Sequence, residues 1–262
     1  MLAKCNACLA TQSEKIEVRC KIKAKTNLVR TMHRCKACDY IFHPNNNHDV
    51  WDKPEAYFAG SDPKKFLRVG DGVRRGREYG MAKDAIEILG LEDPRILIFG
   101  AGISKDHELL RKEGYRVYIT DFINVQQSSH FISMDSEILF DIVISSEVIE
   151  HFEDPINDFI RMVKFLENDG IAISGTNMQD GSDIAKHAYI FTSGHSSYWS
   201  GKSLAAVSKR LGLEFDFRAT LTKKVSPRKR YLYQSHSRRV IDQVKAYFAY
   251  RRQARSEDDY LK

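Results

Sequence analysis

Hydrophobic and polar positions along the chain switch between two periods, and the switching predicts alternating strands and helices. Arg95 to Phe99 (RILIF) is an apolar run of strand length. Asp106 to Glu113 reads as a helix with Leu109 and Leu110 turned inward, and Tyr115 to Thr120 as the next strand. Between the first strand and that helix, Gly100-Ala101-Gly102 turns the chain with almost no side-chain bulk. Glycine there permits positive φ and close approach of backbone to a ligand. Gly114 is placed to end the helix.

A third strand is expected to end just before Asp135, in FISMDSE, and a fourth spans Asp141 to Ser145. Asp154-Pro155 starts a helix whose Ile156, Phe159, Ile160, Val163 and Leu166 form a core-facing stripe. Asp169-Gly170 then turns into a fifth strand, Ile171 to Ser174. Val73 to Leu89 is an amphipathic helix by the spacing of Tyr79, Ala82, Ile86 and Leu89. Ser203 to Leu211 reads as a late helix, and Leu213 to Phe217 and Arg218 to Thr222 as late strands. The alternation predicts a doubly wound α/β fold with a largely parallel, Rossmann-like sheet.

The first 48 residues follow another pattern. Cys5-x-x-Cys8 and Cys35-x-x-Cys38 form two knuckles separated by 26 residues. A CxxC turn lets two sulfurs reach one ion, and four such ligands make a closed tetrahedral zinc site. All five cysteines lie within the first 38 residues, a clustering that argues for metal rather than disulfides. Between the knuckles, Ile16, Val18, Cys20 and Ile22 alternate with charged residues as a strand pair would, which makes Cys20 a core thiol. The expected organisation is a structural zinc ribbon (1–48), an α/β domain (49–222) and a basic C-terminal extension (223–262). Trp51, Tyr57 and Phe58 in the connection are read as packing the ribbon on the main domain or closing over a substrate.

Charge refines the picture. The net charge of +6 conceals an acidic body between basic ends. Residues 223–255 alone hold 11 Lys and Arg against one acid, interleaved with Tyr231, Tyr233, Tyr247, Phe248 and Tyr250. Three uses stay open for that tail: a basic helix packed on the core through Val240, Val244, Tyr247 and Phe248, an RNA or phosphate-bearing partner, or an anionic membrane surface. Arg74, Arg75 and Arg77 open the first long helix, either solvated or facing an acidic substrate. No apolar run has the length of a transmembrane span and the amino terminus lacks a signal-peptide core, so a cytoplasmic location is expected.

The segment FDIVISSEVIEHFEDP, Phe140 to Pro155, carries the most specific pattern. With the glycine turn after one strand and Asp121 at the end of the next, it resembles the class I S-adenosylmethionine-dependent methyltransferases, in particular their small-molecule branch of sugar and ubiquinone-type enzymes. The likeness runs over roughly Val73 to Asp216. It implies a cofactor site built from Gly100, Ala101 and Gly102 around the methionine portion, with their backbone N–H groups close to it. Asp121 is then the ribose acceptor, and Phe122, Met134 and Asp135 line the adenine side. Ser145, Ser146 and Glu147 end the fourth strand where the transferred methyl lies, which adds Ser146 to the cofactor contacts. Two positions depart from the family pattern: Ile98 stands where an acid is usual, and Ser104 where a third glycine is usual. A non-catalytic, methyltransferase-like binding module therefore remains a rival reading.

His151 is the first candidate for a general base, because imidazole titrates near neutrality. Glu147, four residues earlier, is expected to orient it if a helix begins there. In ubiquinone-type relatives an equivalent Glu, Glu, His cluster looks metal-binding, which admits magnesium here. The long polar segment Gly175 to Gly201, rich in His and aromatic residues, reads as the substrate side. Its end, GHSSYWSG, resembles a family segment whose histidine approaches the cleft, making His195 a second candidate base or substrate contact. The expected acceptor is a sugar or nucleotide-sugar hydroxyl or carbon. An RNA methyltransferase using ribbon and tail as a clamp is the alternative, since some ribosomal-RNA methyltransferases also begin with a zinc module.

Overall fold

The computed structural model describes residues 4–22, 27–43, 76–219 and 228–260, with side chains described to residue 253. Trp51, Tyr57, Phe58, Arg74 and Arg75 lie outside the described residues. The chain forms two sheets. The smaller joins β1 (Ser13–Arg19), β2 (Val29–Cys35), β3 (Ile41–Phe42) and β8 (Ser197–Tyr198) in that order. The larger runs β5 (Arg116–Thr120), β4 (Arg95–Phe99), β6 (Phe140–Ser146), β7 (Leu166–Asn177), β10 (Lys229–Ser235) and β9 (Glu214–Ala219). Strands β5, β4, β6 and β7 are parallel, and β10 is antiparallel to both of its neighbours. Five helices accompany them among the described residues: α1 (Arg77–Leu89), α2 (Asp106–Lys112), α3 (Pro155–Val163), α4 (Gly201–Arg210) and α5 (Arg238–Tyr260).

Strand side chains alternate between faces, and the central strands are apolar on both. Leu97, Phe99, Val143 and Ala172 turn toward α3 and α4, joining Phe159, Met162, Leu204 and Val207. Ile96, Ile98, Ile142, Ile144, Ile171 and Ile173 turn toward α1 and α5, joining Ala82, Ala85, Val240, Val244 and Phe248. A near-continuous apolar run buried on both faces is what a parallel sheet under two helical layers requires. Ile98, noted for its departure from the family pattern, is part of that second layer.

Several boundaries differ from the sequence reading. The third strand is reduced to one parallel bridge, Ile119 with Phe131. Short turns occupy the flanking residues instead: the Asn124 side chain and the Ser128 backbone exchange two hydrogen bonds of 3.0 Å, and the backbone N–H of Ser136 donates to Ser133 O at 3.0 Å. In α3 the buried residues are Pro155, Phe159, Met162 and Val163, while Ile160 is 45% exposed and lies outside the stripe. Asp169-Gly170 is not a turn between elements: β7 begins at Leu166 and absorbs it as a bulge opposite Phe140 to Ile142.

The basic C-terminal stretch contributes core to this fold. Its residues Lys229–Ser235 form β10, between β7 and β9, and Val240, Ile241, Val244 and Phe248 of α5 are buried. Its charges meet acids of the domain: Arg238 pairs with Glu214, Arg239 with Asp169 and Arg251 with Glu87. Among the described residues no helix is long and apolar enough to cross a membrane.

The N-terminal residues fold as a hairpin, β1 on β2, with Ile16 opposite Met32 and Val18 opposite Arg30. Cys20 is buried with Val18, Met32, Ile41 and Tyr198. The four remaining cysteines converge. Cys5 Sγ is 3.7 Å from Cys38 Sγ and Cys8 Sγ is 3.5 Å from Cys35 Sγ, all four within 4.8 Å of one another. Four sulfurs ~2.3 Å from a tetrahedral ion stand about 3.8 Å apart, so the cage fits zinc.

Candidate active site

The glycine turn sits at the carboxyl end of β4. Gly100 and Gly102 have φ of +69° and +49°. A Cβ on Gly100 would lie 2.5 Å from Val148 Cγ2, so both backbone shape and space require glycine. The N–H groups of Gly100 and Ala101 donate to Thr120 O at 2.9 and 3.3 Å, and that of Gly102 to Asp121 Oδ2 at 2.7 Å. These N–H groups, expected to face a ligand, instead tie the turn to the end of β5. What the turn offers a ligand is close approach. Gln126 closes the far side, donating to Gly102 O and Ser104 O at 2.8 and 2.9 Å.

Asp121 follows β5. Its second oxygen accepts the Phe122 N–H at 2.7 Å, and burial raises its pKa. A carboxylate offers about four acceptor positions, so two bonds leave capacity for further donors. Phe122 is 63% exposed beside it. Met134 is half-buried against the sheet core, and Asp135 is exposed, its N–H donating to Ser133 Oγ at 3.1 Å. With the third strand shortened, these two residues stand on a turn and not at a strand end.

At the carboxyl end of β6 the residues separate into two groups. Glu147 has φ +58°, a left-handed conformation uncommon for a side chain of its size. Its N–H bonds Gly175 O at 2.8 Å, and its carboxylate meets Arg77 at 3.2 Å and the buried Lys229 Nζ. Burial draws Lys229 down to about 6, and Arg77 adds to the effect. Glu78 lies nearby; burial and then the like charge of Asp106 raise it to about 7, and Ser104 Oγ donates to it at 3.3 Å.

The second group gathers on the other side. Ile149–His151 forms a 3₁₀ turn, not an α-helix, so Glu147 and His151 do not share a face. The expected orienting contact is absent; His151 Nδ1 bonds Gly194 O at 2.7 Å instead. A carbonyl can only accept, so Nδ1 carries the proton and Nε2 is the basic nitrogen. Burial lowers the His151 pKa, opposed by Gly194 and by the charge of Asp121. The His195 ring stands edge-on to that of His151 at 4.8 Å, and burial, then His151, takes its pKa down to about 3. Glu150 is fully buried and raised to about 7 by desolvation; Thr176 Oγ1 donates to it at 3.1 Å. Tyr189 OH lies 2.6 Å from Thr176 Oγ1, and its ring packs on His195 at 4.3 Å.

One carboxylate and two imidazoles, Glu150, His151 and His195, have donor atoms within 4.8 Å of one another. The Glu, Glu, His set that admitted magnesium is not assembled, because Glu147 turns to Arg77 and Lys229. An oxygen-seeking ion such as magnesium also suits this nitrogen-rich set poorly.

Around this rim, Ser145 Oγ, Ser146 Oγ, Glu150 Oε1 and His195 Nδ1 are buried without a hydrogen-bond partner. Leaving a buried polar atom unsatisfied costs roughly 1–3 kcal/mol, so each of these atoms calls for a partner beyond the protein's own groups. Sequence reasoning did not select Lys229 or Thr176 for this rim, whereas Tyr189 was among the aromatic residues of the Gly175 to Gly201 segment read as the substrate side. The period-2 run KRYLYQS signals a strand that could have located Lys229; Thr176 had no signal of its own.

A family model described as a methyltransferase domain matches residues 73–216, more than half of the chain. No curated protein matches. Among solved structures, the chain is similar to one from the complex between the Haloferax volcanii Trm112 methyltransferase activator and a putative methyltransferase, at 13% identity and TM-score 0.53, covering 70% of this chain and 96% of that one. It is also similar to the Burkholderia thailandensis 1,6-didemethyltoxoflavin-N1-methyltransferase with bound 1,6-didemethyltoxoflavin and S-adenosylhomocysteine, at 16% identity and TM-score 0.52, covering 78% and 97%. At these identities the likeness is one of fold.

Proposed function

The chain belongs to the methyltransferase-domain family of S-adenosylmethionine-dependent enzymes, and we propose that it methylates a small, hydroxyl-rich acceptor of the sugar or nucleotide-sugar class. The observation that carries this reading is the set of unpartnered buried polar atoms on Ser145 and Ser146 at the end of β6 and on Glu150 and His195, which gather with His151. An acceptor with several hydroxyls both donates and accepts, and matches a rim of serines, one carboxyl group and imidazoles. Tyr189 adds an aromatic edge on which a sugar ring can lie.

The residues suit the cofactor on the donor side. Gly100 leaves room for close approach, Asp121 retains acceptor capacity for ribose hydroxyls, and exposed Phe122 offers a face for adenine. Met134, Asp135 and Ser146 complete the proposed contacts. When bound, S-adenosylmethionine supplies an electrophilic methyl group on a sulfonium. The protein's contribution is alignment and proximity, and His151 Nε2 takes the acceptor's proton. Burial keeps His151 and His195 neutral, as a base needs. Glu147, held by Arg77 and Lys229, has the role of fixing the end of β6. The four-cysteine cage holds a structural zinc ion, as a site of four thiolates leaves no open position.

Calorimetry with S-adenosylmethionine, then transfer assays over a panel of sugars and nucleotide-sugars, tests the proposal. Heat of binding followed by a methylated sugar is the expected outcome. No binding would support the non-catalytic module, and binding of RNA with a steep salt dependence would favour the RNA reading. The ion pairs that engage Arg238, Arg239 and Arg251 within the domain weigh against a clamp made of the tail.

A further inference from the structure

The four-cysteine cage and the His151 turn are joined by a continuous set of short contacts. Cys38, one of the cage residues, accepts a hydrogen bond on its carbonyl from Ser200 Oγ at 2.6 Å. Trp199, next in the chain, is fully buried between Tyr40 of the N-terminal module, 4.5 Å away, and Phe159 of α3, 5.9 Å away. Its indole N–H donates to Ile149 O at 2.9 Å. Ser196 N–H and Oγ donate to Glu150 O at 3.0 and 3.1 Å, and Ser196 Oγ also reaches Phe152 O at 2.9 Å. The carbonyls on both sides of His151 are thus held by Ser196 and Trp199.

The same residues are held by the module from behind. Tyr198 and Ser197 pair with Ile41 and Phe42 as an added strand, and His43 N–H donates to Ser196 O at 3.0 Å. Gln179 Nε2 bridges Asp39 O and Tyr198 O at 2.8 and 2.7 Å. Cys5, Cys35 and Cys38 belong to the same buried cluster as Ile149, Phe159 and Trp199. A separate folding module attached by a linker needs none of this.

We propose that the cysteine cage governs the acceptor side of the cleft, with Trp199 and Ser200 as positioning residues that fix the Ile149–His151 turn. The inference rests on the acceptor-side reading of His151 given above. It separates the two halves of the site: the Gly100 turn and Asp121 are tied by hydrogen bonds to the end of β5, and among the described residues neither is hydrogen-bonded to the cage, so cofactor binding depends far less on the metal than the acceptor side does.

The test uses the full chain carrying Trp51→Phe, which leaves Trp199 as the lone indole. Metal is removed with a chelator and zinc alone is added back. On removal, Trp199 emission shifts to the red and amide exchange over residues 149–152 and 194–200 rises at least about tenfold. The Kd for S-adenosylmethionine changes less than about twofold, and zinc reverses the changes. Faster exchange confined to residues 4–43 would overturn the proposal. If the stripped chain unfolds as a whole, Trp199→Phe decides: a smaller aromatic ring replaces the indole, its N–H goes, metal content is unchanged, and exchange over 149–152 rises. Unaltered exchange there overturns the proposal. Should the metal-loaded protein fail to bind the cofactor, the methyl-transfer reading falls, while the exchange data still judge the coupling.

Discussion

Asp121 Oδ2 accepts the Gly102 N–H at 2.7 Å, so the residue proposed to hold the ribose also pins the glycine turn. Removing it acts on both. Asp121→Ala should weaken S-adenosylmethionine binding at least about tenfold, or ~1.4 kcal/mol, measured by calorimetry. Burial raises its pKa, so the bond to a ribose hydroxyl weakens as pH falls through that raised value. An affinity unaffected by the substitution removes Asp121 from the cofactor contacts.

Gly100→Ala should be destabilising for two separable reasons. The residue has φ +69°, costing about 1–2 kcal/mol for any L side chain, and its Cβ meets Val148 Cγ2 at 2.5 Å. Thermal melts should show a fall of several degrees. Adding Val148→Ala should recover only the steric part. Full recovery would mean the backbone conformation carries no cost.

His151 is proposed as the base, so His151→Ala should slow methyl transfer by about 10²–10⁴-fold while leaving the cofactor Kd nearly unchanged. Normal turnover excludes it. His195→Ala should raise the acceptor KM more than it lowers kcat, as expected of a neutral ring lining the pocket.

Stability should depend on pH through Glu150. Its folded pKa of about 7 lies above the ordinary value of 4.5, because burial disfavours the charged form. The native state then binds more protons than the unfolded chain between those values, and stability falls as pH rises through that window. Glu150→Gln should flatten the fall in melting temperature from pH 4.5 to 7. His195 works oppositely: folded at about 3 against 6.5 unfolded, it makes stability fall as pH drops below 6.5. An unchanged profile in both variants would show that these groups are not desolvated in solution.

Metal analysis should find about one zinc ion per chain, lost in Cys35→Ser. Metal-free wild-type protein would contradict the ribbon.

The alternation of apolar runs and helical stripes was enough to read the parallel sheet, because strands buried on both faces carry their signature locally. The cysteine spacing likewise announced the cage, since each CxxC turn is a local geometry. The glycine turn and Asp121 were legible for the same reason. Lys229 was not: it stands in a basic tail whose charges left its use open, and only the pairing of β10 between β7 and β9 buries it against Glu147.

The sequence alone thus determined the class of fold, the cysteine pairs of the cage and the glycine turn at the end of β4. Tertiary structure decided what surrounds His151, the proposed acceptor side. There the partners come from distant stretches: Gly194 for His151, Tyr189 for His195, Thr176 for Glu150, and Ser200 for Cys38. Local spacing suggested a Glu147–His151 pair on a helix, but the chain folds there as a tight 3₁₀ turn. The carbonyls of that turn are bonded by Ser196 and Trp199, some fifty residues away in sequence. Contacts between remote segments leave no periodicity in the chain, which is why folding alone places them.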